Sequence, residues 1–230
     1  MTLLLGIDDA GRGPIMGPMI LAGVLIEKKD SEPLKKTGVA DSKTLTHLRR
    51  LFLYEKIKEK AIKYHMVKAF PEEIDSSLAS GINLNTLEAK KTAEIINEIN
   101  VGRMQKNQIK VIVDCPSVNI QAWMLTLKSF INNIDNLDVV CEHKADANHP
   151  VVSAASILAK CTREEEVGKI QKQYGSVGSG YPSDPYTKEF LVKKGKELSN
   201  SGIFRKSWAT WKNLYPKDSI KKGQSTLTGF

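Results

Sequence analysis

Apolar residues gather near the start of the chain in two short runs, Leu3 to Asp8 and Pro18 to Ile26, separated by a glycine-rich stretch. Runs of this length bounded by turn residues predict two buried strands joined by a turn. Thr44 is placed to cap a helix, and Leu45, Leu48, Leu51 or Phe52, and Glu55 then recur at helical spacing, predicting a helix through Lys60 with that stripe turned inward. Ala61 to Phe70 alternates as a third strand, and helices follow from Pro71 and over Leu84 to Asn100. Ile109 to Val113 is β-branched and ends in Asp114, the mark of a buried strand. A helix over Asn119 to Asn132, a strand over Asp138 to Glu142 and a long helix over Val151 to Tyr174 complete the pattern. Strands first and strand-helix alternation afterwards predict an α/β fold, a mixed sheet with flanking helices.

After Tyr174 the texture changes to GSVGSGYPSDP, a turn-rich connector, and Thr187 to Leu198 and Ile203 to Leu214 read as two basic helices carrying Phe190, Leu191, Trp208 and Trp211. The expected organisation is a domain over residues 1–175, a helical module over 176–215, and a tail over 216–230 too poor in apolar residues to fold by itself.

Charge sharpens this division. The chain carries +8 overall, of which the segment from Lys188 to Phe230 holds +7, leaving +1 for the first 187 residues. A basic module on a near-neutral core is the distribution of a nucleic-acid clamp, since phosphate neutralisation releases counterions; a solvated lysine-rich surface is the other reading. Cys115, Cys141 and Cys161 form no Cys-x-x-Cys pair, which fits a reducing compartment and buried thiols. His143 and His149 lack a supporting thiol, so no zinc site is expected there. The early run Leu3-Leu4-Leu5 is too short for a signal peptide or a membrane span, and a cytoplasmic, monomeric protein is expected.

Four acids stand where strands end or loops begin: Asp8, Asp9, Asp114 and Asp146. Catalytic groups of open α/β sheets gather at the carboxyl ends of strands, which makes Asp8 and Asp114 candidate neighbours. Acids converging on one point repel each other unless a hard cation such as magnesium joins them. Taken singly, each strand-end aspartate reads better as a turn or cap residue than as a ligand. Asp9 adds a difficulty, because consecutive strand residues face opposite ways; both acids serve one site only if the chain leaves strand geometry between them, and Gly11 and Gly13 supply the means to bend. Gly11-Arg12-Gly13 itself presents backbone N–H groups suited to a sugar-phosphate. Ser153, Ser156, Lys160 and Arg163 form one polar stripe on the long helix, either phosphate contacts or a solvated face opposite Ala154, Ala155 and Ala159.

Taken in order, GIDDAGRGP, DSKTL, IVDCPSVN, EHKADANHPVVSAASILAK and GSGYPSDP resemble the type 2 ribonuclease H family, ribonuclease HII, in its archaeal form. The resemblance runs from Gly6 to about Trp211 and implies a ribonuclease-H-like mixed sheet of five strands flanked by helices, with a C-terminal helical module that holds the duplex. It also implies an endonuclease that cleaves RNA in RNA-DNA hybrids and on the 5′ side of single ribonucleotides within duplex DNA. On the family pattern, Asp8, Asp9, Asp114 and Asp146 are metal-binding and catalytic, with a pair of Mg2+ or Mn2+ ions. Gly11, Arg12 and Gly13, with Tyr181, would read the ribose 2′-hydroxyl, and Ser42, Lys43 and Lys144 match positions near the substrate backbone. Products would carry 5′-phosphate and 3′-hydroxyl ends.

One position departs from the family, which has glutamate where this chain has Asp9. The side chain loses one methylene and roughly 1.5 Å of reach. A weaker second metal, or a loop shifted inward, is the expected consequence, and Asp9 keeps open a second reading as a weakly active protein that binds junctions. Gln224, Leu227 and Phe230 have the spacing of the short peptide by which replication proteins dock on the sliding clamp, a single helical turn presenting Leu227 and Phe230 to an apolar pocket.

Overall fold

The computed structural model describes residues 2–39 and 45–218. Contacts divide the chain into two interleaved units, one of Met1–Ala10, Ile20–Val67 and Glu88–Thr162, the other of Gly11–Met19, Lys68–Leu87 and Arg163–Phe230. Residues 11–19, 68–87 and 163–175 thus fall in the second unit.

Five strands form one mixed sheet: β1 (Thr2–Ala10), β2 (Met19–Glu27), β3 (Lys63–Ala69), β4 (Gln108–Asp114) and β5 (Leu137–Glu142), in the order β3-β2-β1-β4-β5. β1 is central, antiparallel to β2 and parallel to β4, which is parallel to β5. The helices are α1 (Ser31–Lys36), α2 (His47–Lys60), α3 (Pro71–Ala79), α4 (Leu84–Ile99), α5 (Ile120–Lys128), α6 (Ala145–Asn148), α7 (Pro150–Tyr174), α8 (Pro185–Lys194) and α9 (Ala209–Leu214).

Strand parity sorts the first unit into two faces. Leu4, Gly6, Asp8 and Ala10 of β1 stand opposite Ile26, Val24, Ala22 and Ile20 of β2, and Gly6 opposite Ile112 of β4. The apolar members of this set share one buried cluster with Leu53 and Ile57 of α2 and with Val152, Ala155 and Ala159 of α7. Leu5, Ile7 and Asp9 point to the other face, where the space over Gly23 is taken by Ile95 and Ile99 of α4. α7 comes so close to β1 that a Cβ on Gly6 would lie 2.4 Å from the backbone carbon of Val151 and 2.5 Å from the nitrogen of Val152.

Three sequence-based expectations change. α2 is capped by Thr46, which accepts a bond from the Arg49 amide, while Thr44 lies outside the described residues. The buried stripe is Leu53 and Ile57; Leu48, Leu51 and Phe52 are exposed. The helix carries apolar residues on two neighbouring stripes, and only the one against the sheet is covered, with the Arg49 guanidinium 5.0 Å from the Phe52 ring on the other. α5 ends at Lys128, four residues early, and its C-terminal carbonyls are taken up by the turn amides of Ser129, Phe130 and Ile131.

In the second unit, the expected helix over 203–214 begins only at Ala209, because Phe204 forms an antiparallel bridge with Met16. The bridge and α8 enclose a cluster of Ile15, Met16, Phe190, Leu191, Phe204 and Trp211, with the Phe204 and Trp211 rings 4.9 Å apart. Lys188, Lys193, Lys194, Lys196, Lys212 and Lys217 lie exposed around it.

Two glycine substitutions should move stability in opposite directions. Gly6→Ala pushes a methyl into helix backbone that has no rotamer to yield, and a loss of about 2–3 kcal/mol is expected from denaturant midpoints. Gly168→Ala, inside α7 with nothing within 4 Å of the new Cβ, should gain about 0.5–1 kcal/mol.

Candidate active site

The carboxyl ends of β1 and β4 lie side by side because the strands are parallel and paired, with Ile7 opposite Val113. Gly6 and Ile112 share a face, so Asp8 and Asp114, each two residues further on, share it as well. Asp146 reaches them from α6, an element too short for periodicity to announce. The chain enters it through Lys144, whose φ of 57° is left-handed, a conformation that costs a non-glycine residue of order 1 kcal/mol or more. The turn delivers the Ala145 amide to the Asp114 Oδ1, at 3.2 Å, and buries Asp146 in the first turn of α6.

Carboxylate oxygens of Asp8, Asp114 and Asp146 all lie within 4.8 Å of one another, a group that could hold a metal ion. The electrostatics agree. Burial, then repulsion from Asp9, raises the Asp8 carboxyl from its ordinary value to about 8; Asp114 adds to the rise, while the Ser156 hydroxyl and the Asp9 amide oppose it. That amide donates to Asp8 Oδ1 at 2.7 Å. The oxygen-only donor set and the unrelieved repulsion both fit a hard divalent cation.

Asp9 does not join this group. The expected bend between Asp8 and Asp9 is absent, since the β1 ladder continues in register with Asp9 opposite Leu21 and Ala10 opposite Ile20. Asp9 therefore leaves β1 on the other side of the strand, and at the strand ends it lines one pocket together with Asp8 and Asp114, which Ile7, Leu21, Glu88, Thr92 and Trp123 complete. Glu88, almost fully buried on α4, escapes sequence reasoning because a helix acid carries no signal that it faces a sheet.

Within the second unit, Gly11, Arg12, Gly13, Arg163 and Tyr181 come together. Gly11 has a φ of +85°, and the Arg163 side chain occupies the space where its Cβ would stand, 2.3 Å from Cδ and Nε. The Arg163 guanidinium donates to the Ser179 carbonyl and lies 5.2 Å from the Tyr181 ring centroid. A Cβ on Gly13 would sit 3.8 Å from Tyr181 Cε1, ordinary contact distance. The Arg12 guanidinium donates to Asn85 Oδ1 at 2.7 Å.

The polar stripe on α7 is largely internal rather than presented to phosphate. Ser153 is fully buried and donates to the Val39 carbonyl, Ser156 is buried beside Asp8, and Arg163 is buried under Gly11; Lys160 alone of the four is half-buried. Periodicity put the four on one side of the helix without showing that this side meets protein. The Lys144 side chain is exposed. Ser42 and Lys43, and the tail residues Gln224, Leu227 and Phe230, lie outside the described residues. Among the described residues no helix is long and apolar enough to cross a membrane.

Comparison with known proteins places these features. Residues 5–211 match the family described as Ribonuclease HII. The chain is 39% identical to a Ribonuclease HII of Pyrococcus furiosus over 226 residues, 98% of this chain and 96% of the relative. Among solved structures, the ribonuclease H2 of Pyrococcus horikoshii superposes with a TM-score of 0.83 at 36% identity, covering 94% of this chain and 98% of that one. A ribonuclease HII from Archaeoglobus fulgidus, solved in complex with PCNA, superposes with a TM-score of 0.73 at 38% identity, covering 87% and 90%. The extent of these matches, together with three carboxylates converging at the ends of β1 and β4, shows that the chain belongs to the ribonuclease HII family and is a ribonuclease H, an endonuclease of the hydrolase class.

Proposed function

We propose that this ribonuclease H cleaves the RNA strand of RNA-DNA hybrids and duplex DNA on the 5′ side of a single embedded ribonucleotide, leaving 5′-phosphate and 3′-hydroxyl ends. The observation that carries the metal-dependent part is the convergence of Asp8, Asp114 and Asp146 within 4.8 Å. Those three residues would hold two divalent cations, Mg2+ or Mn2+. Such cations supply a water of lowered pKa for in-line attack and screen the charge on the phosphate oxygens. The protein's own part is positional: the Ala145 amide holds Asp114, the Asp9 amide holds Asp8, and the left-handed turn at Lys144 fixes Asp146. Asp9 stands outside that group of three but lines the adjoining pocket together with Asp8 and Asp114, from where it would complete one coordination shell; its charge also raises the Asp8 pKa.

Substrate choice belongs to the second unit in this reading. Gly11, Arg12 and Gly13 offer backbone, with no room for a side chain at Gly11 because Arg163 fills that space, and Tyr181 offers a ring and a phenol beside Gly13. A ribose 2′-hydroxyl is both donor and acceptor, and it is what such groups distinguish between RNA and DNA. The exposed lysines of the same unit suit contact with duplex phosphates. Gln224, Leu227 and Phe230 are proposed to dock on a sliding clamp, a reading supported by their spacing and by the PCNA complex of the Archaeoglobus relative.

The proposal predicts that Asp114→Asn lowers cleavage of a duplex carrying one ribonucleotide by more than about a hundredfold in magnesium or manganese, and weakens Mn2+ binding by calorimetry equally. Asp9→Asn should weaken Mn2+ binding less than Asp114→Asn does, by about tenfold or less, since it removes a neighbouring charge from a pocket that Asp9 shares with Asp8 and Asp114. Cleavage by wild type with neither cation present would overturn the metal-dependent reading.

In protein stripped of divalent cations, the raised Asp8 pKa means that the folded state keeps a proton the unfolded chain releases near pH 4. Stability should therefore fall steadily as pH rises from about 4 to about 8 and level off above, and Asp8→Asn should flatten that slope in denaturant titrations. Deleting the last seven residues should abolish clamp binding in a pull-down while leaving cleavage of short duplexes unchanged.

A further inference from the structure

Arg205 is among the largest fully buried side chains, at 0% exposure, although its neighbours in the sequence made it look like one more surface cation. Its guanidinium donates to three carbonyls of one loop: Nη2 to Gly11 at 2.7 Å, Nη1 to Arg12 at 2.8 Å, and both Nε and Nη2 to Gly17 at 3.1 and 2.9 Å. The Trp208 indole N–H takes the next carbonyl, Gly13, at 3.1 Å, and its ring lies 5.0 Å from the Arg205 guanidinium carbon. From behind, the buried carboxylate of Asp75 accepts the amides of Lys206 and Ser207, fixing the turn that carries both side chains.

A peptide group is planar, and in its trans form the carbonyl and the N–H point opposite ways. Holding the carbonyls of Gly11 and Arg12 toward Arg205 therefore directs the amides of Arg12 and Gly13 to the opposite side. The Gly13 carbonyl precedes Pro14, which has no N–H to direct, so the Trp208 bond there acts by pinning Gly13, the residue whose own N–H is the second of these donors. The result is two adjacent donors with one orientation, set by a rigid five-donor fork that lysine cannot reproduce. The loop has no other way to relax, because Gly11 already sits at φ +85° with Arg163 filling the space beside it.

We infer that Arg205, with Trp208, is a positioning residue for ribonucleotide selection, aligning the backbone N–H groups of the Gly-Arg-Gly loop without touching the nucleic acid. The inference rests on the proposed role of that loop in reading the 2′-hydroxyl. It is tested on the full chain by fluorescence anisotropy in EDTA, where no cleavage occurs, comparing a DNA duplex carrying one ribonucleotide with the same duplex made wholly of DNA. Wild type is expected to prefer the first. Arg205→Lys should reduce that preference by about tenfold while leaving affinity for the all-DNA duplex within about twofold. Trp208→Phe keeps the half-buried ring and removes one donor, so it folds even where the arginine variant does not, and should cost about threefold of the preference.

The outcomes separate cleanly. A wild type with no preference would remove the loop's proposed role, and the inference with it. A wild-type preference kept in full by both variants, or lost only in parallel with weaker binding to the all-DNA duplex, would leave the role of the loop standing and reject Arg205 and Trp208 as its positioning residues.

Discussion

Like charges held close in a poorly solvated place are costly, and the first unit is arranged around accepting that cost at one point. Asp8, Asp114 and Asp146 would separate if their backbones were free to move. They are not free: Asp8 and Asp114 stand on neighbouring, hydrogen-bonded strands, and β1 is fixed from above by a helix whose backbone lies against Gly6. Asp146 is held by a strained turn whose amide also binds Asp114. The sheet and α7 thus do the holding, and the chemistry of the family depends on their not yielding.

Parity is the second consequence of the same sheet. An unbroken strand turns two consecutive side chains opposite ways, so Asp8 stands with Asp114 and Asp146 while Asp9 stands with Ile7 and Leu21, in a pocket that Asp8 and Asp114 also line. Asp9 still matters electrically, since its charge is the second cause of the raised Asp8 pKa.

Much of this was legible in the residues. The five strands, the long α7 and the pairing of Asp8 with Asp114 follow from apolar runs ending in acids, because burial on both faces leaves few alternatives for such runs. Asp146 stood out only as an acid where a loop begins, and the four-residue helix that carries it, entered through a left-handed lysine, has no periodicity to show that it turns toward Asp8 and Asp114. The stripes on α2 and α7 misled for a common reason: periodicity shows which residues share a side, not which side meets protein. Leu48 and Phe52 turned out to be exposed and Ser153 and Arg163 buried. Arg205 was invisible because its partners, the carbonyls of Gly11 to Gly17, belong to the backbone and leave no trace in composition.

The bond from Arg205 to the Gly11 carbonyl spans 194 residues of chain. During synthesis, β1 and the residues that follow it emerge well before the groups that set their carbonyls, which are made 194 residues after Gly11. Contacts of such separation form late and slowly in folding. A nascent chain can therefore assemble the strands bearing Asp8 and Asp114 well before the Gly11 to Gly17 loop acquires its final shape, so the order of synthesis delays the loop until Arg205 has been made.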